Sequence, residues 1–299
     1  MKFPVIKAVS YTLAHTPNLV RYGSKPEREL RKDPTLNEQI TSHLRSFEQA
    51  CTYQPNQVFL GCMPPESLWD AERPWWQSSN NGASRFGLFG EIMPEAEFYG
   101  LLRFADEFEL ILLEESFHEQ VHAQLRGHPL LGETDLARLG AGRPLAAIEA
   151  KVADEAALPL YHNDQMVGCI CSGHEEDPFL TANILLENLA CKATGILGMR
   201  WLFEQSRSEG ITPQSIDYVI NSGEEAIGDR YQRGAGNLAK AMAELSGCIN
   251  STGADLKAFC CGPIHSVIIA AGLVQSGIFK NVMVVGGGAL AKLGMKFRG

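Results

Sequence analysis

The chain lacks any Lys/Arg-rich block, and its 26 basic residues are outnumbered by 35 acidic ones, for a formal charge of −9. Nucleic acid and anionic membrane surfaces are therefore excluded as expected partners. No stretch approaches the roughly 20 apolar residues needed to cross a bilayer. The opening residues Met1-Lys2-Phe3-Pro4-Val5-Ile6-Lys7 lack the apolar core of a signal peptide, so a cytoplasmic location is expected. Neither a dinucleotide fingerprint nor a P-loop is present. Charged residues make up only 20% of the chain and hydrophobic residues 45%. That balance, over 299 residues, is enough apolar material for one large domain or two ordinary ones.

Eight cysteines are spread along the chain. In a cytosolic protein of this size they read as free thiols and not as a disulfide framework. Cys169-Ile170-Cys171 followed by His174 lacks the spacing of a zinc knuckle, and no metal is expected there. The segment Met166 to Cys171 reads as a strand with alternating faces.

The first 150 or so residues have their own texture. Met63-Pro64-Pro65-Glu66 and Arg73-Pro74-Trp75-Trp76 are Pro- and Trp-rich, and Ser78 to Gly82 is a polar turn. The aromatic patches read as packing or a subunit contact. Val58-Phe59-Leu60 and Leu110 to Leu113 read as strands, and Glu95 to Leu102 as a helix. Residues 133–157 read as a polar helix, and the domain junction is placed at 157/158. The fold class expected is α/β, with an α+β region over 1–157 and a layered α-β-α unit over 158–299.

In that second part the pattern is regular. A helix is predicted over Leu180 to Gln205, ended by Gly210-Ile211-Thr212-Pro213, and a strand over Ile216 to Ile220. A loop through Glu224, Glu225 and Gly234-Ala235-Gly236 leads to a helix from Asn237 to Leu245. A strand over Leu256 to Phe259, a helix over Pro263 to Val274 and a strand over Val282 to Val285 follow. Alternating strands and helices argue for a sheet covered on both faces.

The segment Ala258-Phe259-Cys260-Cys261-Gly262-Pro263-Ile264-His265 places a cysteine where a strand hands over to a helix. The free amides and dipole of a helix start favour the thiolate, the reactive form of the side chain. Pro263 suits the first helical turn, where its missing N–H costs nothing. Cys260 is the candidate nucleophile; a small buried hydrophobe is the plain alternative for either cysteine. Cys261, Gly262, His265, Glu224, Gly287 and Gly288 are candidate substrate-binding residues. The run Gly286-Gly287-Gly288 either cradles an anion through its amides or passes tightly between packed elements, the second being favoured.

These residues resemble a known family. The order of strand, Gly-rich loop, helix, strand, Cys-x-Gly, helix and Gly-tailed strand is similar to the thiolase-type condensing enzymes, in particular ketoacyl-ACP synthase III. There the cysteine matching Cys260 carries the acyl group as a thioester, and Cys261 stands where a small residue is usual. Four further segments resemble the beta subunits of component C of the glycine/sarcosine/betaine reductase complex. They are Ala8 to Pro17, Arg85 to Pro94, Asp229 to Gly234 and Ala291 to Met295. The resemblance implies a subunit that takes an acetyl unit, at the ketene level, from a selenoprotein of the complex and contributes to acetyl phosphate formation. It implies phosphate as co-substrate, no bound cofactor, and a component C alpha subunit as partner in a homo- or hetero-oligomer. The family subunit is longer, and the second half that carries a condensing enzyme's His and Asn is not in this sequence. Two rival readings stand beside it: a stand-alone acyltransferase using acyl-CoA, and a non-catalytic scaffold subunit.

Overall fold

A computed structural model describes residues 3–52, 84–87, 89–173, 177, 181–223 and 237–288. The predicted strand at Val58 to Leu60, the Pro- and Trp-rich patches, the loop with Glu224 and Glu225, and the last matching segment all lie outside the described residues. Three small sheets organise the rest. The first joins β1 (Tyr11–His15), β3 (Gly90–Pro94) and β2 (Phe86–Gly87), with β1 parallel to β3. The second joins β4 (Ile111–Leu113), β6 (Gln165–Cys171) and β5 (Ala157–His162), all antiparallel around β6. The third is parallel and places β7 (Tyr218–Asn221) between β8 (Thr252–Asp255) and β9 (Val282–Val285).

Four short helices, α1 (Pro17–Arg21), α2 (Ser24–Lys32), α3 (Leu36–His43) and α4 (Phe47–Thr52), follow β1. The predicted helix at Glu95 is α5 (Glu95–Ala105), and every residue of it is buried. Its first side chain holds another helix in place. The Glu95 carboxylate accepts the backbone N–H groups of Asn18 and Leu19, each at 3.0 Å, capping α1. Helix α6 (Glu115–Arg126) is capped in the same way by Glu114, which accepts from Ser116 and Phe117.

The polar helix expected over 133–157 is two helices, α7 (Glu133–Ala137) and α8 (Leu145–Ala153), and Ala157 already begins β5. The break is the stretch Gly140-Ala141-Gly142-Arg143-Pro144. Gly140 takes the left-handed conformation, φ 65°, and Arg143 bridges to β4 by donating its N–H to the Leu113 carbonyl at 2.8 Å. Strand β6 pairs with β5 on one side and with β4 on the other, so the second sheet draws on both sides of residue 157.

Helix α9 (Ala182–Gln205) is the hub. Apolar residues lie all round it, and most of its length is buried, as such a helix requires. It packs on α5, β1 and the helix α10 (Leu238–Leu245). One continuous core results, running from Tyr99, Leu102 and Phe104 through Leu189 and Ile196 to Val219 and Met283. Asn237 caps α10 by accepting the Lys240 N–H at 2.8 Å, as an Asn before an apolar run does.

The strand expected over Leu256 to Phe259 lies earlier, at Thr252–Asp255. A Thr-Gly-Ala-Asp segment has little strand character, and its place is set by pairing: a Cβ on Gly253 would stand 2.3 Å from the Val219 carbonyl oxygen. Helix α11 (Gly262–Gln275) follows a 3₁₀ turn over Phe259–Cys261. The connections β7–α10–β8 and β8–α11–β9 run in opposite directions across the sheet. Right-handed crossovers therefore put α10 and α11 on opposite faces, an α-β-α layering. Among the described residues no helix is long and apolar enough to cross a membrane.

Candidate functional site

The carboxyl ends of the three parallel strands meet the amino end of α11. In open α/β sheets this is where ligands bind. Cys260 sits in the 3₁₀ turn one residue before Cys261, which is the N-cap of α11, with Pro263 in the first helical turn. Cys260 is exposed and not disulfide-bonded, whereas Cys51, Cys169, Cys171, Cys191 and Cys248 are buried. A cavity of about 430 Å³ opens beside it, lined by Ser222, Cys260, Pro263, Val285, Gly286 and Gly287.

Its walls approach closely because they are mostly backbone. A Cβ on Gly262 would stand 3.1 Å from the Ser222 carbonyl oxygen, and one on Gly286 2.9 Å from Ser222 Oγ. At Gly287 a Cβ would meet Thr194 Oγ1 at 2.6 Å, the Cys191 carbonyl oxygen at 2.9 Å and Cys191 Cα at 3.0 Å. The glycine run is thus a tight passage between β9 and α9, the favoured of its two readings. Two of those three contacts are backbone or its Cα and cannot turn aside. Gly287→Ala is expected to lower stability by about 1–3 kcal/mol, the usual cost of overpacking. Thermal denaturation measures this, and an unchanged midpoint would show that β9 shifts freely.

A buried polar network pins the strand ends. The Asn221 side-chain carbonyl accepts the Gly223 N–H at 2.9 Å, and its amide donates to Asp255 at 3.1 Å. Asp255 in turn accepts the N–H groups of Leu238 at 3.0 Å and Ala239 at 2.9 Å, the free amides that open α10. The Cys191 thiol lies 3.8 Å from Asn221 Oδ1. Lys257 Nζ donates to the Gly223 carbonyl at 3.2 Å, and burial lowers the pKa of its ammonium.

Of the candidates drawn from sequence, Cys260, Gly262 and Gly287 come together here. Cys261 and His265 are exposed and do not line the cavity. Gly288 lines a larger neighbouring cavity of about 710 Å³ that shares Val285, Gly286 and Gly287. Glu224 lies outside the described residues. Sequence reasoning passed over Ser222, Asn221, Asp255 and Lys257. Their signal was position alone, since each ends or closely follows a strand of the parallel sheet. Cys169 and Cys171 lie in β6 as expected, and no cluster of three or more possible metal ligands occurs among the described residues. The hydrogen bond between their thiols raises the pKa of Cys169 and lowers that of Cys171.

A parallel α/β unit that presents a cysteine at the helix start after its second strand defines a thiolase-like chain. In keeping with this, the chain is 30% identical over 88 residues to a beta-ketoacyl-[acyl-carrier-protein] synthase III of Listeria monocytogenes, covering 29% of this chain and 26% of that enzyme. It is 33% identical over 116 residues to the enzyme of that name from Staphylococcus haemolyticus, covering 34% and 36%. More particularly, the chain is similar to the beta subunit of glycine/sarcosine/betaine reductase complex component C. It is 43% identical over 301 residues to that subunit from Peptoclostridium acidaminophilum, a match covering 99% of this chain and 58% of the relative. The chain thus spans less than two thirds of that relative's length. Among solved structures, the priming beta-ketosynthase of the R1128 polyketide pathway is 32% identical over 32% of this chain and 26% of its own, with a TM-score of 0.28. No family model matches the chain.

Proposed function

We propose that this chain is an acyl-carrying subunit of a component C assembly, in which Cys260 holds an acetyl unit as a thioester and contributes to acetyl phosphate formation. The observation that carries this reading is the placement of Cys260: exposed, at the amide-bearing end of α11, on a cavity walled by backbone and small side chains. At the ketene level the acetyl unit needs no redox partner, because the thiol S–H adds across the carbon–carbon double bond to give the thioester. Phosphorolysis then forms a C–O bond from phosphate and breaks the C–S bond, and the thiolate leaves with the electron pair. Backbone amides at a helix start suit both the thiolate and the oxyanion of the intermediate. In this proposal residues 158–299 carry the chemistry, a selenoprotein of the complex donates the acetyl unit, phosphate is the co-substrate, and the setting is the cytoplasm. Mass spectrometry after exposure to an acetyl donor tests it. One acetyl group on Cys260 is expected; acetylation at Cys261 would move the site, and an unmodified chain would sink the reading.

The face of α11 favours a partner, and a scaffold role for the chain accommodates the same observation. This helix is apolar nearly throughout, yet Ile264 and Ile268 are 65% and 61% exposed, with Val267 and Ile269 beside them. A helix apolar all round belongs in an interior, and a contiguous apolar patch marks an interaction surface. The proposal places the component C alpha subunit, or a second copy, against it. Ile264→Glu with Ile268→Glu is expected to abolish co-elution with the partner while the circular dichroism of the chain stays unchanged. Retained co-elution would assign the contact elsewhere.

A further inference from the structure

Helix α6 carries His118-Glu119-Gln120-Val121-His122. The spacing of four puts both imidazoles on one face, one turn apart, the arrangement in which paired histidines on a helix hold zinc. The structure treats the two rings as a pair. Their centroids are 6.2 Å apart and the ring planes are inclined by 39°.

His118 is 8% exposed, and its Nε2 is sealed from solvent without a hydrogen-bond partner. That nitrogen is the position at which a histidine can ligate a metal ion. An orphaned buried nitrogen costs about 1–3 kcal/mol, so a purely structural histidine here would be expected to find a donor. The loop over it is close: a Cβ on Gly142 would stand 3.1 Å from His118 Cβ and 2.6 Å from Glu115 Cα. His122 is only half-buried. Among the charges acting on His118, Arg103 is paired with Glu109 at 3.2 Å and Asp106 at 3.9 Å, and Glu119 is exposed.

We propose that His118 and His122 form a two-histidine site for a divalent transition metal ion of the zinc class. Among the described residues no third His, Cys, Asp or Glu joins them, so the two imidazoles are the protein ligands that the described residues supply. With Zn–N bonds of about 2.0–2.1 Å, tetrahedral ligation brings the ring centroids to about 5 Å. The rings therefore close by about 1 Å on binding, a movement that rotation of the less buried His122 supplies. This site is independent of Cys260.

Zn²⁺ titration of the chelator-treated full chain by calorimetry tests the proposal. One saturable Zn²⁺ is expected, retained in a Cys260→Ala, Cys261→Ala variant and weakened in His122→Gln by about tenfold or more, the loss seen even for outer-shell partners. Equal Zn²⁺ affinity in His122→Gln, loss in the cysteine variant, or no saturable binding would overturn it. A second reading needs no variant that folds: Cu²⁺ bound to the unmodified chain should show nitrogen hyperfine structure in its electron paramagnetic resonance spectrum. Its absence, or a sulfur-ligated spectrum, counts against the site.

Discussion

Cys260→Ala is expected to remove acetyl loading of this chain completely, and Cys260→Ser to come close to it. The alanine side chain has no nucleophile. The serine hydroxyl is not ionised near neutral pH, and no histidine is among the described residues lining the cavity to take its proton. Helix α11 favours a group that ionises readily, which a thiol is and a hydroxyl is not. Cys261→Ala should leave loading intact, because Cys261 does not line the cavity. The same variants separate catalysis from scaffolding. In the reconstituted complex, Cys260→Ala should stop acetyl phosphate formation while the subunits still assemble. If product continues to form, the acyl group travels on a partner's residue and this chain shapes the assembly. Loss of the complex itself would instead point to the α11 face, whose exposed Ile264 starts four residues beyond Cys260.

Much of the fold was legible where one signal dominated. Helices α5, α9, α10 and α11 follow from apolar runs bounded by Thr181, Asn237 or Pro263, and β6, β7 and β9 from short apolar segments next to glycine or polar turns. Legibility failed where tertiary pairing overrode local character. Strand β8 is polar and small because Gly253 must lie against the Val219 backbone, and nothing local announces that. The breakers Gly140, Gly142 and Pro144 were visible, but the Ala- and Glu-rich residues around them masked the interruption. At the site, Cys260 was legible because its strand-to-helix setting has a chemical meaning. Asn221 and Asp255 were not, since their role is to join β7, β8 and α10 through contacts 16 to 34 residues apart in sequence. The spacing of His118 and His122 is a sequence property. The sealed Nε2 that gives it meaning comes only from the fold, where the loop at Gly142 closes on His118.

Glu91→Leu is expected to destabilise the chain by about 3–5 kcal/mol, the cost of removing one partner from a buried charge network. Glu91 is wholly buried on β3. One oxygen accepts from His128 Nε2 at 2.6 Å and from Trp201 Nε1 at 3.0 Å. The other accepts from Arg85 Nε at 3.0 Å and Nη2 at 2.9 Å, and Arg85 also donates to Glu97 at 2.7 Å. The Leu130 N–H donates to His128 Nδ1 at 3.2 Å, so Nε2 carries the proton given to Glu91 and a neutral imidazole suffices. Leucine would strand His128 and Trp201 and leave Arg85 with Glu97 alone. The network also sets a pH response. Burial pushes the Glu91 carboxyl up, but the hydrogen bonds from His128 and Trp201 and the charge of Arg85 outweigh it and hold it below the ordinary 4.5. A carboxyl lowered in the folded state stabilises fully above its unfolded value, and that contribution is lost as pH falls through the folded value. The urea midpoint should therefore drop below about pH 4.5, and Glu91→Gln, which does not titrate, should show a shallower acid limb. A loss under about 1 kcal/mol in Glu91→Leu, within the range of ordinary substitutions, would mean that water reaches these groups and the network holds little of the fold.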